Sequence, residues 1–149
     1  MVSKSQARAQ LNSSLPCLTN DNFDLTSPLD NTYNCIAWAA GDSSRWWWPG
    51  SSQTYWPKPG VRLELAAFRD AFNDLGYLET TNCGSPENFE RVAIYEKDGK
   101  PTHAARQLED GKWTSKLGTA WDISHDLDAL NGGEYGQPAL IMERPRKTL

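Results

Sequence analysis

The stretch RVAIYEKDGKPTHAARQLEDGKWTSKL, residues 91–117, decides the fold. Three strand-like runs, 91–97, 101–108 and 112–117, are separated by Asp98-Gly99 and Asp110-Gly111. Asp-Gly readily takes the positive φ angles of a tight hairpin turn, so the runs predict an antiparallel meander. Two-residue loops would set Lys97 opposite Lys100 and Glu109 opposite Lys112. In that register His103 faces Ile94 across the first hairpin and Gly118 across the second. Val92, Ile94, Ala105 and Lys116 then share its face, and Ser115 lies on the other. The His103 face is the more apolar one, so it is expected to pack against helices.

The flanks complete an α+β pattern. Residues 33–41, YNCIAWAAG, suit a short helix with Ile36, Ala37 and Ala40 on one face, Asn31 or Thr32 as cap and Gly41 as stop. Leu65, Phe68, Phe72 and Leu75 recur at helical spacing within 61–75, and Gly76 ends that helix. Tyr77–Thr80 reads as a short strand and 137–144, QPALIMER, as a last buried one. Asp122 can cap a helix through Leu130. Residues 21–32 read as loop. The expectation is a flexible arm over 1–20, with a short helical piece at 4–11, and one domain over 21–149.

Composition narrows the function classes. The chain has 149 residues, enough for one domain with a real core. Hydrophobic residues make up 38% and charged ones 23%, which fits a soluble globular protein and excludes a collagen-like or acidic solvating chain. Fifteen basic against nineteen acidic residues give net −4, which argues against a nucleic-acid or anionic membrane partner. The opening MVSKSQARAQ has no apolar core of an export signal, so cytoplasmic residence is the default. Delivery as an effector by a dedicated secretion machine is the alternative. Three cysteines, Cys17, Cys35 and Cys83, lack metal-ligand spacing, and no metal or organic cofactor is expected. Reduced thiols are expected, a Cys17–Cys83 disulfide being the alternative.

The chemistry centres on Cys35. A thiol at a helix start feels the positive dipole end and unpaired N–H groups, which favour a thiolate and can steady an oxyanion. The plainer reading is a small buried core residue. His103, on the strand face turned to the helices, supplies an imidazole for a catalytic dyad. A third group must orient that ring. Asp122, just beyond the strand end, is favoured; Gln107, Ser115 and His125 compete, and a bulge would bring Ser115 into play. Asn31 and Asn34 are candidate oxyanion donors, and each reads equally as a cap or turn residue.

The segments YNCIAWAAGD and THAARQLEDGKWTSKLGTAWDISH, followed by YG, resemble a small bacterial domain family of unknown function. That family is often placed among the papain-like cysteine hydrolases in the broad sense, which include cell-wall amidases and effector deamidases and peptidases. The resemblance spans roughly residues 30–145 and implies a Cys-bearing helix packed on an antiparallel sheet. It implies Cys35 as nucleophile and His103 as base. Position 29, where such peptidases carry a glutamine oxyanion donor, is Leu. The implied reaction is hydrolysis of an amide bond in a protein, peptide or peptidoglycan-like substrate through a thioester, or deamidation when ammonia leaves.

A rival reading comes from residues 42–60, where Trp46, Trp47, Trp48, Tyr55 and Trp56 crowd one loop. Aromatic platforms of this kind could make a non-catalytic carbohydrate- or peptide-binding module. Because the loop follows the Cys helix directly, Trp38, Trp47, Trp48, Trp56 and Ser115 are the expected walls of a substrate cleft.

Overall fold

The computed structural model describes residues 4–11, 15–19, 21–27, 33–42, 44–49, 53–57, 62–82, 88–117 and 122–146. Among them, seven strands form one sheet: β1 (Phe23–Ser27), β2 (Leu78–Thr80), β3 (Phe89–Lys97), β4 (Lys100–Gln107), β5 (Trp113–Lys116), β6 (Asp122–His125) and β7 (Gln137–Pro145). Their order across the sheet is β1-β6-β5-β4-β3-β7-β2. Every neighbouring pair is antiparallel. The helices are α1 (Lys4–Leu11), α2 (Cys35–Ala40) and α3 (Leu65–Asp74), with a 3-10 turn at Leu127–Leu130. No described helix is long and apolar enough to cross a membrane.

Strand alternation sends side chains to two cores. On one face Val92, Ile94, Ala104, Leu140 and Met142 pack with Cys35, Ile36 and Ala37 of α2 and Phe68 and Phe72 of α3. On the other, Ala93, Tyr95, Ala105, Trp113 and Ile123 pack with Leu15, Leu18 and Leu130. The two buried leucines tie down 15–19, which corrects the expectation of a loose arm there. Helix α1 occupies the expected 4–11.

Helix α2 forms because both its ends are closed. Asn34 caps it, its side chain accepting the Ala37 N–H, and Gly41 ends it in a left-handed conformation at φ 87°. The other expected caps, Asn31 and Thr32, lie outside the described residues.

The first hairpin has the expected two-residue turn: Asp98 and Gly99 have φ of 54° and 80°, and Lys97 stands opposite Lys100. The ladder then slips. Glu96 pairs with Pro101 and Tyr95 with His103, leaving Thr102 as the extra residue of a bulge. The second turn holds three residues, 109–111. The Leu108 N–H donates to the Lys112 carbonyl and Gly111 sits at φ 89°, a tight turn closed by a left-handed residue. Gln107 therefore pairs with Trp113. Each hairpin is displaced by one residue from the expected register. Since side chains alternate, both displacements change faces. His103 stands opposite Tyr95 instead of Ile94, on the face away from α2. There it meets Ser115, which keeps the face away from the helices, while Lys116 keeps the α2 side.

Two further expectations are corrected. Residues 122–130 are not a helix: Asp122–His125 is a strand held between β1 and β5, and only Leu127–Leu130 turns helically. Residues 21–32 are not all loop, because Phe23–Ser27 supplies the edge strand β1.

Candidate functional site

Cys35 is the first residue of α2 and is buried. It lines a cavity of about 400 Å³ with Asn34, Trp46, Trp48, Thr54, Thr102 and Tyr135, none of them charged. The helix rests on β4 and β5. Those strands pair only at Arg106–Thr114 and Gln107–Trp113, so the β5-facing edge of β4 is open above Arg106. The Ala104 N–H of β4 reaches the sulfur. Burial raises the thiol to about 11, against the pull of the Ala104, Ile36 and Cys35 N–H groups and the Lys116 charge. The dipole-activated, low-pKa thiol expected from sequence is thus overridden by desolvation.

His103 lies in the adjoining core, fully buried. The bulge and the three-residue turn bring Ser115 to it: His103 Nε2 and Ser115 Oγ are 2.9 Å apart. Ser115 Oγ is in turn 2.6 Å from His125 Nε2, and His125 Nδ1 is 2.7 Å from the Asp126 carbonyl. Ser115 thus bridges the two imidazoles in one hydrogen-bonded wire. The Tyr135 ring stacks on His103 at 4.2 Å and 17°, and Tyr95 meets its edge at 5.4 Å. His103 Nδ1 is buried with no hydrogen-bond partner. Burial, helped by the His125 charge, holds His103 well below the usual imidazole range. Burial likewise lowers His125 to about 4, against the pull of Asp126.

Thiol and imidazole thus approach from opposite faces of the sheet, not across one helix-packed face as expected. They meet through neighbours. The Ala104 N–H that reaches the sulfur belongs to the residue after His103. Tyr135, which covers the imidazole, also walls the Cys35 cavity. No described hydrogen bond joins sulfur to ring.

The remaining expected site residues fall elsewhere. Asp122 pairs with Lys116 at 3.5 Å on the α2 side, so it is not the group that orients His103. Asn34 is engaged structurally: Oδ1 accepts the N–H groups of Ala37 and Trp47, and Nδ2 donates to the Trp47 carbonyl. That commitment replaces the oxyanion role expected of it. Asn31 lies outside the described residues.

Of the expected cleft walls, Trp48 is one. Trp47 is buried, its Nε1 donating to Asp42. Trp56 packs on Phe68, centroids 4.9 Å apart. Trp38 is a turn beyond Cys35, against Tyr33 and under the Arg106 guanidinium, lining a different cavity. Ser115 holds the imidazole and lines no wall.

Thr102 and Tyr135 were missed. Thr102 owes its place to the bulge. Its hydroxyl donates to the Tyr135 carbonyl at 2.6 Å. Tyr135 sits in a loop closed by the Gly132 N–H donating to the Gly136 carbonyl. Its only sequence signal is the YG that follows the second quoted segment.

No curated protein and no solved structure matches the chain. A family model, described as a domain of unknown function, matches residues 24–143, a span that includes Cys35, His103, Ser115, His125 and Tyr135. The chain belongs to that family, DUF7689.

Proposed function

We propose that this protein is a cysteine-dependent amide hydrolase of papain-like arrangement, with Cys35 as nucleophile, His103 as general base and Ser115 as the group that orients the base. One observation carries the reading. A thiol opening on a cavity lies against the backbone N–H that follows a histidine, and that histidine has one nitrogen anchored and the other unpartnered. A nitrogen buried without a partner is costly, and such costs persist where chemistry uses the atom.

With the thiol raised and the imidazole lowered, both groups rest neutral. In this reading substrate binding must bring the ring, which rests on the other face of the sheet, to the sulfur; Cys35 S–H then passes its proton to His103 Nδ1 as the sulfur bonds to the amide carbonyl carbon. The Cys35, Ile36 and Ala104 N–H groups around the sulfur are the donors nearest the developing oxyanion. The protonated Nδ1 gives its proton to the leaving nitrogen, the C–N bond breaks and a thioester remains. Water then attacks, giving one proton to Nδ1; the C–S bond breaks, that proton returns to sulfur, and the product leaves as the carboxylic acid, which ionises in solvent. When the leaving nitrogen is ammonia the same cycle is deamidation. The uncharged cavity favours an acyl group without charge next to the scissile amide. Protein, peptide and peptidoglycan-like amides are the substrate classes to try.

The test uses both described cysteines. Cys17 is exposed and Cys35 buried, so the first is an internal reference. Iodoacetamide labelling is followed by peptide mass in the wild type and in His103→Ala. The reading expects Cys35 labelling to fall by about tenfold or more, with Cys17 unchanged. Hydrolysis of an amide library should disappear in Cys35→Ala. Equal Cys35 labelling in both proteins, together with Trp fluorescence quenched by sugars or peptides, would instead establish a binding module built on Trp46 and Trp48.

A further inference from the structure

We infer that His125 is a positioning residue: acting through Ser115, it fixes which nitrogen of His103 carries the proton. The argument starts from the Asp126 carbonyl. A carbonyl oxygen only accepts, so His125 Nδ1, 2.7 Å away, must hold a hydrogen. In the neutral ring, His125 Nε2 then presents a lone pair. Ser115 has one hydroxyl hydrogen, and it goes to that lone pair, 2.6 Å away. The serine oxygen is left as an acceptor for His103 Nε2 at 2.9 Å, so that nitrogen must be N–H. The lone pair of His103 is thereby placed on Nδ1, the one ring nitrogen of the wire with no hydrogen-bond partner.

The opposite order fails on counting. If His103 held its hydrogen on Nδ1, Ser115 would face two imidazole lone pairs with a single hydrogen. All three side chains are essentially inaccessible, at 0%, 1% and 1% exposure for His103, Ser115 and His125, so water cannot repair the mismatch. The backbone carbonyl of Asp126, the residue just past β6, thus sets the base without touching it. The proton order needs nothing beyond these contacts; its catalytic meaning rests on the function proposed above.

The test is two-bond proton–nitrogen NMR of the histidine rings in nitrogen-15-labelled protein at neutral pH, which reads each tautomer directly. His125 is expected as Nδ1–H and His103 as Nε2–H. In His125→Phe the Ser115 hydroxyl is released to donate to His103 Nε2, so the Nδ1–H form of His103 should appear and Cys35 alkylation should fall about tenfold. His125→Gln, whose amide oxygen can accept from Ser115, should restore both. An Nδ1–H tautomer of His103 in the wild type overturns the inference, even if the phenylalanine variant fails to fold. So does an unchanged tautomer in a folded His125→Phe. A tautomer that switches while Cys35 alkylation stays constant upholds the wire and overturns His103 as base.

Discussion

The two faces of the sheet are built on different physics. The α2–α3 face is held by apolar contact: Phe68 meets Trp48 and Trp56, Ile36 and Ile94 are fully buried, and Cys35 is embedded among them. The opposite face has an apolar frame of Tyr95, Trp113 and Leu130 around a hydrogen-bonded wire of His103, Ser115 and His125. Apolar packing tolerates a poor fit at a graded cost. A buried wire is satisfied as a whole or not at all. The first face therefore holds the thiol by shape, and the second holds the imidazole by proton order.

The largest effect should come from the apolar side. Phe68→Ala removes the ring on which Trp48 and Trp56 rest, and such truncations cost roughly 3–5 kcal/mol. Urea denaturation measures it. The Cys35 cavity should loosen as Trp48 loses its support, while the His103 tautomer stays as in the wild type. A tautomer change would show that the two faces are not separable.

Ser115→Ala attacks the other side. It strips a partner from two buried imidazole nitrogens, and each unsatisfied group costs roughly 1–3 kcal/mol. The loss of Cys35 reactivity should exceed what the lost stability accounts for, since His103 keeps its place and loses its proton order. Reactivity at the wild-type level in folded Ser115→Ala would mean that the wire is structural alone.

The histidines also make the wired face acid-sensitive. Both have folded-state values below the ordinary 6.5, His125 at about 4. Below pH 6.5 the unfolded chain takes up their protons and the folded one does not. Their contribution is therefore complete above 6.5 and is lost as the pH falls toward 4, by roughly 1.4 kcal/mol per pH unit for each ring. Urea midpoints measured across that window should fall, and His125→Gln should remove one ring's share. Midpoints that stay level would contradict burial as the cause.

How much of this was readable from residues depends on whether one position or a parity mattered. The Asp-Gly pairs announced both hairpins, and the apolar spacing announced α2 and α3. Cys35 and His103 were legible as candidates. Their faces were not, because a face depends on register, and register turned on Thr102 and on one extra turn residue. The Thr102 hydroxyl is bonded to carbonyls of Tyr95 and Tyr135, 7 and 33 residues away. No local propensity carries that information. The one-residue offset exchanged Ser115 with Lys116, and so made Asp122 a partner of Lys116 instead of His103. The helix read at 122–130 fails for a related reason: Asp122–His125 is claimed by two neighbouring strands, and such pairing outweighs a capping signal.

The smallest effect separates the two ends of a single residue. The Asp126 carbonyl anchors His125, while its carboxylate meets the Lys112 ammonium at 2.6 Å with both side chains about half exposed. Surface ion pairs of this kind are screened and contribute little. Asp126→Ala removes the carboxylate and keeps the carbonyl. The His103 tautomer, Cys35 labelling and the urea midpoint should therefore all match the wild type. A tautomer shift in this variant would mean that the charge of Asp126, and not its backbone dipole, orders the wire, and the division between a shape-held face and a proton-ordered face would have to be redrawn to include the surface.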